Sequence, residues 1–311
     1  MALNTNTTGT VGFPDAIAKF YEKKRLSRLE AELHLQEWAE KKPMPKNSGN
    51  EIVWTRHTNF AANTTPMTEG VTPNGLTMQS VQISAIPLQY GDYVTLSDYL
   101  IAEAIDPVME GAIELLTYRQ ALSADTIVRN TLHSAVTDQF AGGAANEAAI
   151  VLANVFNAPE ARKAAYKLRK NNVRPVGDSY ACVVHPAQIF DLQSDNSIGS
   201  WLEINKYTTT GPLYKGEIGK MYGIRFVESQ NIQFVNNGSV DVYRAFVFGK
   251  EGYGVTELSG NGNKMITKQL GSGGTEDPLD QRATVGYKFS FVCKVLDPLR
   301  IIEVHSATAA V

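Results

Sequence analysis

The sequence predicts a mixed α+β fold with unusually long extended elements, and three observations lead there. In RATVGYKFSFVCKV every odd position from Ala283 to Val295 is apolar, while the intervening positions are mostly Thr, Gly, Lys and Ser. Such alternation marks a strand with one buried face, roughly 40 Å long at the usual rise. A helical pattern runs from Asp106 to about His133, also roughly 40 Å at 1.5 Å per residue. Strands and helices do not alternate as βαβ units, so a parallel doubly wound sheet is not expected.

Taken in order, residues 1–12 are rich in Thr, Asn and Gly and carry no packing signal. From Asp15 to about Lys42, Ile17, Phe20, Tyr21, Leu26, Leu29, Leu33 and Trp38 fall mostly at helical spacing. This predicts an amphipathic helix standing apart from the rest of the chain. MPKNSGN breaks it. EIVWTRH then reads as a strand. It leads into NFAANTTPMTEGVTPNGLTMQ, a polar stretch with almost no charge, and on into SVQISAIPLQYGDYVTLSD. Val81, Ile83 and Ala85 alternate on odd numbers; Leu88, Tyr90, Val94 and Leu96 on even ones. A change of parity at Pro87 predicts a bend or bulge, because a slip of one residue exchanges the two faces. Residues 51–96 are therefore expected to form an extended hairpin with a long polar tip. A loop of that length in a compact domain is either functional or without fixed structure.

Asp106-Pro107 supplies an N-cap and a first-turn proline for the long helix, whose apolar face is Val108, Ala112, Leu115, Leu116, Leu122 and Ile127. AGGAANEAA is a break, and PEARKAAYKLRK a second helix whose cations read as a solvated face or a phosphate patch. SYACVVHP is a buried strand before a short helix, AQIFDLQS. In YKGEIGKMYGIRFVES, Gly216 and Gly219 are expected to turn the chain before a strand from Ile224 to Val227. IQFV, NNGS and VDVYRAFVF read as a hairpin with Asn237-Gly238 in the turn. SGNGNKMITKQLGSGGTEDP reads as a glycine-rich excursion, and LRIIEVHS as a final strand.

Composition narrows the function. The chain has 311 residues, 43% of them hydrophobic, and a formal net charge of −3, so its overall balance carries no nucleic-acid footprint. No apolar run approaches the roughly 18 residues of a membrane helix. The N-terminus lacks a basic region followed by an apolar one, so no secretory signal is expected. The two cysteines, Cys182 and Cys293, lie in apolar strand contexts and read as buried thiols. Gly219-Lys220 fails as a phosphate loop: Tyr214 and Met221 stand where Gly and Ser or Thr are required. The five histidines, His34, His57, His133, His185 and His305, form no local metal-binding pair, and no carboxylate pair or nucleophile elbow is visible. No catalytic, metal or cofactor residue is expected. His185, ahead of Pro186, is the one catalytic candidate, and it reads better as a strand-end histidine bonded to nearby backbone.

Several stretches, in order and at comparable spacing, resemble the major capsid proteins of tailed bacteriophages. They are TTPMTEGVTPNG followed by QYGDYVTLSD, LYKGEIGKMYGIRFVES, VFGKEGYGV and DPLDQRATVGYKFSF. The group they resemble most is that of the N-four phage coat protein, with the fold named after phage HK-ninety-seven. The resemblance implies an N-arm over residues 1–50 and an E-loop hairpin over 51–96. It implies a peripheral domain over 97–149 and 266–311, with the spine helix and a long sheet that includes the 283–305 strands. An axial domain would occupy 150–265. It also implies self-assembly into pentamers and hexamers of an icosahedral shell around double-stranded DNA, without sequence-specific binding. The shell would be assembled in the bacterial host cytoplasm, with a portal, a decoration protein and no membrane. Some members weld their shells through an E-loop lysine. Here no lysine occurs between Lys46 and Lys163, so no such crosslink is expected. Only about fifty residues precede the hairpin, which favours a separate scaffolding protein. Phe20, Leu29 and Trp38 of the arm and Trp54, Arg56 and Glu69 of the hairpin are the expected inter-subunit residues. Two other readings stay open: another virion protein such as a tail tube, and a soluble enzyme using His185 or the 259–278 loop.

Overall fold

The computed structural model describes residues 31–309 except 32, 46, 48, 105–107, 196–216, 259–262 and 273–276. The elements in chain order are β1 (Glu40–Lys41), β2 (Ile52–His57), β3 (Ser80–Ala85), β4 (Leu88–Ser97), α1 (Asp98–Glu103) and α2 (Val108–His133). They continue with β5 (Thr137–Phe140), α3 (Ala158–Lys170), β6 (Tyr180–Val184), α4 (Pro186–Ser194), β7 (Glu217–Met221) and β8 (Ile224–Glu228). The last are β9 (Phe234–Asn236), β10 (Asp241–Phe248), β11 (Tyr253–Glu257), β12 (Asn263–Lys268), β13 (Arg282–Val295) and β14 (Ile301–Ser306). The mixed α+β class is the one the sequence predicts.

Three sheets organise these elements. In the five-stranded sheet β13 is the central beam. Antiparallel β4 lies along one edge, and β11 and β12 lie end to end along the other. Every odd residue of β13 from Ala283 to Val295 is buried, as the alternation requires. That face meets α2 through Leu116, Val128 and Leu132. Buried α2 positions Ala112, Leu116, Ala124, Val128 and Leu132 recur at i+4, the spacing of a single helical face. Leu115, expected on that face, is 55% exposed. Asp106 and Pro107, the expected start of the helix, lie outside the described residues.

The seven-stranded sheet runs β5-β14-β10-β6-β8-β7, with β9 on β10. It is covered on both sides, which explains why YACVV and AFVF are continuous apolar runs rather than alternating ones. Cys182, Val184, Phe226, Val247 and Val304 face Ala161, Ala164, Ala165 and Leu168 of α3. Val183, Phe246, Phe248 and Ile301 face the core shared with α2. Burial pushes both thiols up, that of Cys293 to about 12.

Four expectations need correction. Strand β14 does not extend the sheet of β13. It inserts between β5 and β10, because the turn at Asp297-Pro298 carries the chain across to the other sheet. Likewise β5 joins the seven-stranded sheet and β11 the five-stranded one, so the sheets cut across the expected domain limits. The glycine-rich excursion contains β12, whose residues pair with Thr284–Phe289. In YKGEIGKMYGIRFVES the tight turn is Tyr222-Gly223, both at positive φ (53° and 80°), closing the β7–β8 hairpin; Gly219 marks a register shift within β7, and Gly216 lies outside the described residues. Finally, the helix expected to reach Lys42 is not present from residue 33 onward, where a turn over 35–38 leads into β1; the expected helical residues before 31 lie outside the described residues. Its backbone groups are taken by tertiary partners: the Leu35 N–H donates to Asp125 Oδ1 at 3.0 Å, and the Tyr253 hydroxyl donates to the Leu35 carbonyl. A helix would need those same groups for its own ladder.

Candidate functional site

Among the described residues, the long hairpin has no core of its own beyond its base. Strands β2 and β3 pair in register from Ile52↔Ala85 to His57↔Ser80 and make an isolated two-stranded ribbon. Only its base is packed: Ile52, Trp54 and Ala85 are buried with Met44. The ribbon continues for one more hydrogen bond, Thr58 N–H to the Gln79 carbonyl at 3.0 Å, before the strands diverge into the tip. Apolar side chains then stand in solvent: Phe60, Met67, Val71, Met78 and Leu76, the last 75% exposed. Pro87 separates β3 from β4, so the parity change is a real bend, and β4 leaves the ribbon to join β13.

The base is fixed from three sides. The Trp54 indole lies so close to Gly254 of β11 that a Cβ there would meet the ring at 3.0 Å. Arg56 pairs with Asp297, Asp297 with Arg300 at 3.3 Å, and Arg300 with Glu251 at 3.1 Å. These groups, with Glu40, Lys42 and Ile83, line a cavity of about 380 Å3 beneath the ribbon. Lys42 donates to the Val53 carbonyl at 2.9 Å, tying the segment around β1 to β2.

The expected assembly residues thus separate into groups. Trp54 and Arg56 sit together at the ribbon base. Glu69 stands exposed at the tip with no ion pair among the described residues. Trp38 is half-buried away from the ribbon, 6.3 Å from Phe248 between ring centroids, with the Arg225 guanidinium 5.4 Å from its own. Phe20 and Leu29 lie outside the described residues. Asp125 was not legible as a structural residue. It is buried on α2, accepts from Leu35 N–H and from Asn231 Nδ2 at 2.8 Å, and burial raises its carboxyl above the ordinary range against those bonds. The only signal in the sequence was an acid on an otherwise apolar helix face.

His185 takes the bland role expected of it. Its ring Nδ1 caps α4 by accepting from Ala187 N–H at 3.2 Å, Gln188 completes a capping box, and the ring lies 4.5 Å from that of Tyr243. Burial lowers its pKa. Among the described residues no helix is long and apolar enough to cross a membrane.

Comparison with known proteins agrees with this geometry. Residues 114–258 match the family model described as phage capsid protein. The capsid structure of the cyanophage P-SCSP1u is similar at 17% identity and a TM-score of 0.73, over 99% of this chain and 97% of that one. The capsid of Ralstonia phage GP4 is similar at 13% identity and 0.75, over 98% of each chain. The head structure of Helicobacter pylori bacteriophage KHP40 is similar at 12% and 0.73, over 97% of this chain and 99% of that one. No curated protein matches significantly. The fold is the HK-ninety-seven type of viral shell proteins. The fold is shared with these capsid structures, and the segment 114–258 carries the match to the phage capsid family model.

Proposed function

We propose that this chain is the major capsid protein of a tailed phage, a structural and non-enzymatic subunit. It polymerises through pentamers and hexamers into an icosahedral shell around double-stranded DNA. The carrying observation is the β2–β3 ribbon, which leaves Phe60, Met67, Leu76 and Met78 exposed beyond a packed base. A two-stranded ribbon is marginal alone and gains stability from a surface to lie on. A neighbouring subunit supplies that surface at every repeat, and apolar burial of about 25 cal/mol per Å2 is multiplied by symmetry.

In this reading residues 51–96 are the E-loop and residues 1–50 the N-arm. The sheet of β13 with α2 is the peripheral domain, and the seven-stranded sheet with α3 and α4 the axial domain. Glu69 and the apolar tip contact the next subunit. Trp54 and Arg56 set the angle at which the hairpin leaves the body, and Phe20, Leu29 and Trp38 act through the arm. A net charge of −3 suits a container, because a strongly basic wall would bind DNA nonspecifically and with steep salt dependence. The proposed partners are a separate scaffolding protein, a portal and a decoration protein, with assembly in the host cytoplasm. The purified chain, viewed by negative-stain microscopy and sedimented, is expected to give capsomers or polyhedral shells. Rings stacked into tubes would make it a tail protein, and a stable monomer that turns over a substrate would make it an enzyme.

A further inference from the structure

Strand pairing brings to one face of the seven-stranded sheet a set of ionisable side chains that are far apart in sequence. Glu303 and His305 are two residues apart on β14 and share a face. In the parallel pairing Glu303 lies opposite Asp138 of β5, and in the antiparallel pairing His305 lies opposite Arg244 of β10. We propose that Asp138, Glu303 and His305 bind a divalent cation of the zinc class through two carboxylate oxygens and one imidazole nitrogen.

The spacing fits such an ion. His305 Nε2 lies 3.4 Å from Asp138 Oδ1 and 3.7 Å from Glu303 Oε2, and the three ligand atoms all fall within 4.8 Å of one another. A tetrahedral zinc with bonds near 2.0–2.2 Å sets its ligand atoms about 3.4 Å apart. As direct hydrogen bonds the same contacts are poor, since N–H···O bonds cluster at about 2.7–3.2 Å. His305 is nonetheless 97% buried (side chain 3% exposed), and its Nδ1 has no hydrogen-bond partner. A buried imidazole whose Nε2 is poised between two carboxylates, at distances too long for good hydrogen bonds, is an arrangement that a ligand between them completes.

The surroundings match what a metal requires of its outer shell. Glu147 Oε2 lies 3.9 Å from His305 Nδ1, beyond hydrogen-bond reach but on the side of the ring from which a carboxylate orients a metal-bound histidine. Arg244 holds Glu147 with two bonds, of 3.0 and 2.9 Å, and reaches His133 Nε2 at 2.8 Å. A guanidinium only donates, so His133 Nε2 accepts, and its Nδ1–H is left to donate to Glu303, whose oxygens both lie at 3.0 Å. Glu303 has a fully buried carboxylate, and its ion-pair contacts among the described residues are His133 and His305. Asp138 pairs with His305, and Lys167 acts on it only at longer range. Two neighbouring carboxylates, one of them wholly buried and paired only with histidines among the described residues, favour a bound positive charge. Nitrogen and oxygen donors without thiolate suit Zn2+, Mn2+ or Co2+ better than Ca2+, which takes oxygen ligands. The remaining coordination position opens to solvent beside Asp138, whose side chain is 49% exposed.

The proposal is independent of the assembly reading and is tested on the full chain in solution. After stripping with EDTA, zinc is titrated by calorimetry, and bound metal is counted by elemental analysis after dialysis. One zinc per chain and a Tm that rises with added zinc are expected, with no response to calcium. Asp138→Asn changes a half-exposed residue, so its metal-free Tm is expected to equal the parent's while zinc binding weakens at least about tenfold. Glu303→Gln is expected to abolish zinc binding. Failure of the parent chain to retain zinc at one per chain, or full-strength binding by Asp138→Asn, would overturn the proposal.

Discussion

The β2–β3 ribbon and the seven-stranded sheet are built from the same kind of residue and the same backbone hydrogen bonds, yet they stand at opposite limits of burial. Val53 and Val81 of the ribbon are 37% and 44% exposed, while Val183 and Val247 of the sheet are fully buried. The sheet meets helices or core on both faces; the ribbon meets the body at its base alone. Stability in this molecule therefore resides in the sheets, and the hairpin is free to be specialised for contact with something else. Local stability and interaction capacity are commonly divided in this way.

Substitutions ranked by their effect on the isolated subunit turn this division into measurements. Phe226→Ala empties the core between α3 and the seven-stranded sheet and is expected to cost about 3–5 kcal/mol, read as insoluble expression or a large fall in Tm. Asp125→Ala removes the acceptor of two buried donors, Leu35 N–H and Asn231 Nδ2, for about 2–3 kcal/mol by urea denaturation. Burial raises the Asp125 carboxyl, so its stabilising effect is fullest below the ordinary carboxylate range and fades as pH rises through the raised value. Asp125→Asn should flatten that part of the pH–stability curve. Gly254→Val drives a side chain into the Trp54 ring and is expected to lower stability by about 1–3 kcal/mol, with limited proteolysis of the hairpin increased. Leu76→Asp, at a position 75% exposed, should leave stability within about 0.5 kcal/mol of the parent but abolish shells in micrographs. A large loss of subunit stability in Leu76→Asp, or intact shells from it, would erase the distinction between the two regions.

Legibility in the sequence followed the same division. Where one face is buried and the other wet, as in β13, alternation reported the strand and its buried residues directly. The bend at Pro87 and the turn at Asn237-Gly238 were legible for similarly local reasons, since each depends on residues a few positions apart. Two kinds of feature were not. The turn at Leu35, where the sequence pattern predicts helix, is held by Asp125 and Tyr253, partners that no local pattern around Leu35 announces. Strand β12 was hidden by the glycines that flank it and exists because β13 offers an edge. Of the ribbon residues, Trp54 and Arg56 were singled out by type alone, and the structure brings them to one place. The Asp138, Glu303 and His305 trio needed the pairing of β14 with β5, which the sequence did not reveal.

One feature of the five-stranded sheet governs how the molecule would respond to force. The hairpin leads through Pro87 into β4, which pairs with β13 along its length, from Leu88↔Phe291 to Ser97↔Arg282. A tug on the hairpin along the direction of β4 therefore acts parallel to the strands and across hydrogen bonds that lie perpendicular to them. Those bonds must slide together rather than open one after another, as they would in a zipper. The attachment is loaded in shear, so the pairing along the whole of β4 resists a pull on the hairpin as a unit.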